Sequence, residues 1–194
     1  MHVQQITVKY FTEGPVDQAA LIPVFHRWIR EDRITGKLLI DVADYRQVQD
    51  GPGVMLIAHE AHYGLDEGGG RPGLRMAVRR DEPRAVAERL TQALRDVLFA
   101  CAELEKEESL DVSFAGGEVQ IQVLSRLHAP NTAATFATFR EAIAPVLETV
   151  YGKVDVEVTH DADPRRPFGV TVRVKGAPSV SVLLERLGAP TAIN

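Results

Sequence analysis

Gly36-Lys37-Leu38-Leu39-Ile40-Asp41-Val42-Ala43-Asp44-Tyr45, a turn at Asp50-Gly51-Pro52-Gly53, then Val54-Met55-Leu56-Ile57-Ala58: this stretch decides how the chain is read. Its order and spacing return as Gly152-Lys153-Val154-Asp155-Val156-Glu157-Val158, followed by Gly169-Val170-Thr171-Val172-Arg173-Val174. Side chains that alternate with period two read as strand, and Asp, Gly and Pro in a cluster read as turn. Each copy is therefore a predicted β-hairpin, and two copies of one hairpin can be compared face by face.

Outward from the hairpins the same plan continues. Val3 to Phe11 alternates as a strand, and Asp17 is placed to cap a helix carrying Leu21, Val24, Phe25, Trp28 and Ile29 on one face, with Pro23 expected to kink or divide it. Val54 to Leu65 reads as one strand, Gly68-Gly69-Gly70 as a hairpin tip, and Leu74 to Arg79 as the next strand. Pro83 suits the first position of a long helix with the stripe Val86, Leu90, Leu94, Val97, Cys101 and Leu104. Its acidic end, Glu103 to Glu108, opposes the helix dipole and is expected to stay in water. In the second half a hairpin turning at Gly116-Gly117 precedes a helix capped by Asn131, with Phe136, Phe139, Ile143, Val146 and Leu147 as its apolar positions. Pro178 and Gly188 bracket a last short helix.

The expected fold class is α+β. Two ferredoxin-like, split β-α-β repeats are related by a pseudo-twofold, with antiparallel sheets and helices packed on one face. The halves divide at 1–108 (β-α-β-β-β-α) and 109–194 (a hairpin, then α-β-β-α), and form one compact unit.

The 194 residues, 45% hydrophobic and 25% charged, are ordinary for a globular protein with a sizeable core. A net charge of -5 argues against a nucleic-acid surface. No apolar run is long enough for a membrane span, and Met1 to Lys9 lacks the pattern of a secretory signal. Cys101, the single cysteine, is expected to pack as a small hydrophobe. A cytoplasmic location is the resulting expectation.

The two hairpins differ in their second faces. With the first hairpin centred near Gln49, Asp41 sits opposite Ile57, Leu39 opposite His59 and Leu38 opposite Glu60. One face then carries Leu38, Ile40, Val42, Val54, Leu56 and Ala58 toward the helices; the other carries Lys37, Leu39, Asp41, Ala43, Tyr45, Met55, Ile57, His59, Ala61 and Tyr63. The corresponding second face of the later hairpin is Asp155, Glu157, Thr159, Asp161, Thr171, Arg173 and Lys175, a solvent face. A face as apolar as the first calls for a cover: a second copy of the chain, a loop, or a small ligand, with Tyr45, Met55 and Ile57 as the interface or ligand-binding residues.

Asp41 and His59 on that face are a candidate acid–base pair, with Tyr63 as a proton donor. His59-Glu60-Ala61-His62-Tyr63 is not the H-E-x-x-H motif, because position 63 is tyrosine. On a strand Glu60 and His62 would share a face roughly 7 Å apart, so a divalent metal there needs a third ligand from elsewhere. The primary expectation is a non-catalytic module that self-associates or binds a small ligand through the 39–63 hairpin face. The alternative is an enzyme using Asp41 and His59, with a metal near Glu60 and His62.

Overall fold

The computed structural model describes residues 1–49, 51–79 and 83–188. Eight strands form one sheet: β2 (Ile6–Thr12), β3 (Leu39–Asp44), β4 (Val54–Ala58), β5 (Ala61–Asp66), β6 (Gly73–Val78), β8 (Phe114–Val123), β9 (Val156–Asp161) and β10 (Phe168–Val174). Two short strands, β1 (His2–Val3) and β7 (Arg84–Ala85), pair separately. The helices are α1 (Gln18–Glu31), α2 (Val86–Leu104), α3 (Ala133–Tyr151) and α4 (Val180–Leu187). The large sheet runs β3-β4-β5-β6-β2-β8-β10-β9, antiparallel throughout. The fold is α+β.

All four helices lie against one face. α1 packs on β3 and β4, α2 on β2 and β6, α4 on β8, and α3 on β9 and β10. The alternation of the strands explains this. Val54, Leu56, Tyr63, Leu65, Leu74, Met76, Ile6, Val8, Tyr10, Val119, Ile121, Val170 and Val172 point to that side and are buried. α1 turns Leu21, Val24, Phe25 and Trp28 into the same core, and the Tyr10 and Tyr151 hydroxyls meet there at 3.2 Å. Pro23 and Pro145 stand on the solvent sides of α1 and α3, and both helices continue through them.

The sheet places the two halves differently. β2 and β8, the first long strand of each half, pair at its centre. β10 and then β9 lie beyond β8, whereas β6, β5, β4 and β3 lie beyond β2. The place next to the centre that β10 takes in the second half belongs to β6 in the first, not to β4. The echo between Val54–Ala58 and 170–174 is thus one of sequence and hairpin pairing, and an additional β4–β5 hairpin separates the two in position. That hairpin arises because the expected strand from Val54 to Leu65 breaks at His59 and Glu60, making the first half β-α-β-β-β-β-α.

Other expectations are corrected by local geometry. β8 continues through Gly116 and Gly117 rather than reversing there, although its pairing with β2 shifts register between Phe114 and Val119. A Cβ on Gly116 would stand 2.2 Å from the Pro178 carbonyl oxygen, and one on Gly117 2.6 Å from that of Val174, so the glycines allow close approach of backbone. Pro83 precedes β7 and is not the first helical position; α2 begins at Val86. Thr132, not Asn131, caps α3, its hydroxyl accepting from Thr135 N. Asn131 instead donates to the carbonyls of Asp161 and Asp163 and bonds His160.

The acidic end of α2 is not solvated as a whole. Glu103 is buried against Arg33 and Lys106, the Glu107 carboxylate takes Arg27 and Trp28 Nε1, and Glu105 accepts from Phe114 N. Together with Lys37–Asp96 at 2.7 Å, these pairs fasten α1 and the segment after it to α2.

Candidate functional site

The open face of the sheet is the surface on which the sequence-predicted site was drawn. Directly paired residues of an antiparallel sheet point to the same side, so its rows can be read from the register. One row runs Asp41, Ile57, His62, Ala77, Thr7, Gln122; the next runs Ala43, Met55, Gly64, Arg75, Lys9, Gln120. Met55 and Ile57 are half-buried; Ala43 and Gly64 flank Met55, Asp41 and His62 flank Ile57, and Ala77 lies beyond His62. The result is a shallow apolar patch at the β3 end of the face.

Toward the centre the face becomes charged. Lys9 is buried and reaches across Gly73 to Asp66 at 3.3 Å. Burial lowers its pKa, and the Asp66 carboxylate opposes that shift. Arg71 stacks over Phe11 at 3.9 Å and pairs bidentately with Glu118, which also binds Arg173. These bonds, led by the one from Arg71, hold the Glu118 carboxyl below its ordinary range. None of these partnerships was read from the sequence, because each joins positions on different strands or loops. The small residues at Gly73 and Gly64 were the only local signal.

The register agrees with expectation at Asp41 opposite Ile57, then departs from it. A bulge between Leu39 and Asp41 puts Leu39 opposite Ala58 and turns it into the core. Leu38 and Ile40, expected inside, are 63% and 52% exposed. One inserted residue reverses the faces on either side of it.

The bulge and the turn at 59–60 scatter the proposed acid–base group. Asp41 is exposed, and its Oδ1 accepts the amide of Val42 at 2.8 Å. His59 lies in the turn, 67% exposed at its side chain, with Nδ1 3.4 Å from Glu60 Oε1. Tyr63 points to the helix side and is buried in the core. Burial, reinforced by the charges of Asp96 and Glu60, raises its phenol well above the usual value. The three residues thus occupy three separate environments. The candidate metal ligands part in the same way: Glu60 belongs to the turn, while His62 stands on the open face beside Ile57 and Ala77. No group of three or more His, Cys, Asp or Glu able to hold a metal occurs among the described residues.

Glu60 Oε2, Tyr63 Oη and His62 Nδ1 are buried atoms without a hydrogen-bond partner. On the helix side Asp96 of α2 is held by Lys37 and Gln92; burial raises its pKa while the Lys37 ammonium pulls it back. Cys101 is fully buried, and burial raises its thiol pKa well above the ordinary value, which opposes formation of a nucleophilic thiolate.

Tyr45 lies apart from Met55 and Ile57. It lines an open cleft of about 550 Å³ at the end of the sheet, with Asp17, Gln18, Arg46, Glu67 and Gly53. Arg46 there is committed to Asp44 through two bonds of 2.9 and 2.7 Å, which hold the Asp44 carboxyl at about 2. Asp17 is spent on capping α1.

No helix among the described residues is long and apolar enough to cross a membrane. No family model, curated protein or solved structure matches the chain.

Proposed function

We propose that the protein is a non-catalytic binding module that self-associates by stacking the open faces of two copies at the Met55–Ile57 patch. The observation that carries this reading is the one-sided helix layer: α1 to α4 cover one face, and among the described residues no element lies over Met55 and Ile57 on the other. Two sheets pack face to face about 10 Å apart, and the small residues Ala43, Gly64 and Ala77 leave room for a second sheet at that distance. An isologous twofold contact needs one self-complementary surface. An apolar patch bordered by Asp41 on one side and Arg75 on the other supplies both signs of charge. The enzyme reading draws no support from the geometry, because Asp41, His59 and Tyr63 do not converge.

We also infer that the two halves descend from one split β-α-β plan of ferredoxin-like order, the first enlarged by the β4–β5 hairpin. The central β2–β8 pair and the shared Gly-Lys and Gly-Val landmarks support this. A single buried thiol and the acidic balance suit a cytoplasmic module.

Light scattering after size exclusion tests the self-association. The chain should run at twice its 21.3 kDa at tens of micromolar, and Ile57→Asp should reduce it to the monomer with its circular dichroism unchanged. A wild-type monomer at every concentration would end this reading.

A further inference from the structure

The far edge of the sheet offers a second surface, independent of the open-face patch. Among the described residues β9 pairs only with β10, so its other side carries backbone donors and acceptors that none of them pairs. Its distal end is closed. Asn131 donates to the Asp161 carbonyl at 2.8 Å, and the His160 ring stacks on Phe136 of α3. The strand residues that stay open are 156–159, and Val154 and Asp155 lead into them.

That run has different chemistry on its two sides. Toward the helices, Val154, Val156 and Val158 form one wall of a groove of about 440 Å³, and Ala144 and Leu147 of α3 form the other, with Arg140, Glu141, Glu148 and Lys153 around it. Val154 is 51% exposed. Toward the open face, Asp155 and Glu157 border a cavity of about 670 Å³. Neither has an ion pair among the described residues; Glu157 accepts only from the Thr159 hydroxyl at 3.5 Å. Of the two bases that line the same cavity, Arg173 is engaged by Glu118, and Lys175 has no ion pair among the described residues.

We propose that β9 is a docking edge for an extended segment of another protein whose side chains alternate between aliphatic and basic. Such a segment adds as a ninth strand. Its period of two sends one set of side chains into the aliphatic groove and the other directly opposite Asp155 and Glu157. Charge identifies the partner as a different chain rather than a second copy. In antiparallel β9–β9 pairing, the registers that overlap most of the strand set acid against acid among Asp155, Glu157 and Asp161, and like charges directly opposite are unfavourable. The other edge of the sheet lacks these features: β3 is bulged, Asp41 accepts from its own backbone, and Asp44 is held by Arg46.

The test uses the full chain and a labelled peptide, acetyl-Lys-Val-Arg-Val-Lys-Val-Arg-Val-amide, in fluorescence anisotropy. Amide hydrogen exchange is read on β9 in parallel. Binding should slow exchange at Val156 to Thr159. It should weaken at least tenfold with Asp155→Lys/Glu157→Lys, and be lost when alternate peptide amides are N-methylated. Both substituted positions are exposed, so folding is retained. Three results would overturn the proposal: no binding at 100 µM or so of peptide, equal binding by a scrambled peptide of the same charge, or binding without protection of β9. A dimer of the free chain that Val156→Lys dissociates would also overturn it, since the occupant would then be a second copy.

Discussion

The hairpins β3–β4 and β9–β10 share landmarks, spacing and alternation, yet they meet their surroundings in opposite ways. In β9 the alternation is unbroken, and every second residue points the same way from end to end. In β3 one bulged residue at Ile40 divides the strand, so that Leu39 enters the core while Leu38 and Ile40 face solvent. The lysines that open the two copies part company as well. Lys37 is half-buried in an ion pair with the buried Asp96, whereas Lys153 is exposed at the rim of the α3 groove. Similar local sequence therefore specifies a hairpin in both places, but what each hairpin is fastened to depends on residues far along the chain. The additional β4–β5 hairpin and the polar residues of α2 exist only on the first side.

The largest test of that difference is the lysine pair. Asp96→Ala takes the carboxylate from a largely covered ammonium, and should cost about 3 kcal/mol. Lys153→Ala, its exposed counterpart, should change stability by less than about 0.5 kcal/mol. Urea unfolding of both variants measures the contrast, and equal effects would mean that Lys37 is not held as described. Next in size is the bulge. Leu39→Ala should cost about 2–3 kcal/mol and Leu38→Ala only a few tenths; a reversed order would restore the regular register. Acid titration probes the charged centre of the face. Because the Glu118 carboxyl is held below its ordinary 4.5, its contribution is full above that pH and disappears as pH falls through the lowered value. Thermal melts between pH 3 and 6 should show a shallower acid-side decline for Glu118→Gln than for the wild type. The smallest effects belong to the residues first suspected of chemistry: Asp41→Asn and His59→Ala should each leave stability within about 0.5 kcal/mol. A smaller loss from the double variant than from the sum of the singles would show a coupling that the geometry lacks.

Much of the architecture was legible. The strand and helix stripes, the buried face of α1 and the buried Cys101 follow from local periodicity, and the pairing of Asp41 with Ile57 from a hairpin centred near Gln49. The candidate site was legible only as a region. Met55 and Ile57 do share the open face, but Tyr63 was assigned to the wrong side because the turn at His59 and Glu60 carries no glycine or proline to announce it. His62 came to that face by the same unannounced turn. The glycines of β8 misled in the opposite sense, since their purpose is contact with Pro178 and Val174 rather than turning.

From the order of its residues alone, this chain was determined to be an α+β protein with two matched hairpins, since period two and period three-to-four are properties of neighbouring residues. Only the tertiary structure decided which sides of the first hairpin are inside and which acids hold which bases. A single bulged residue inverts a strand's faces at little local cost, and an ion pair such as Lys37–Asp96 joins positions that no local pattern connects.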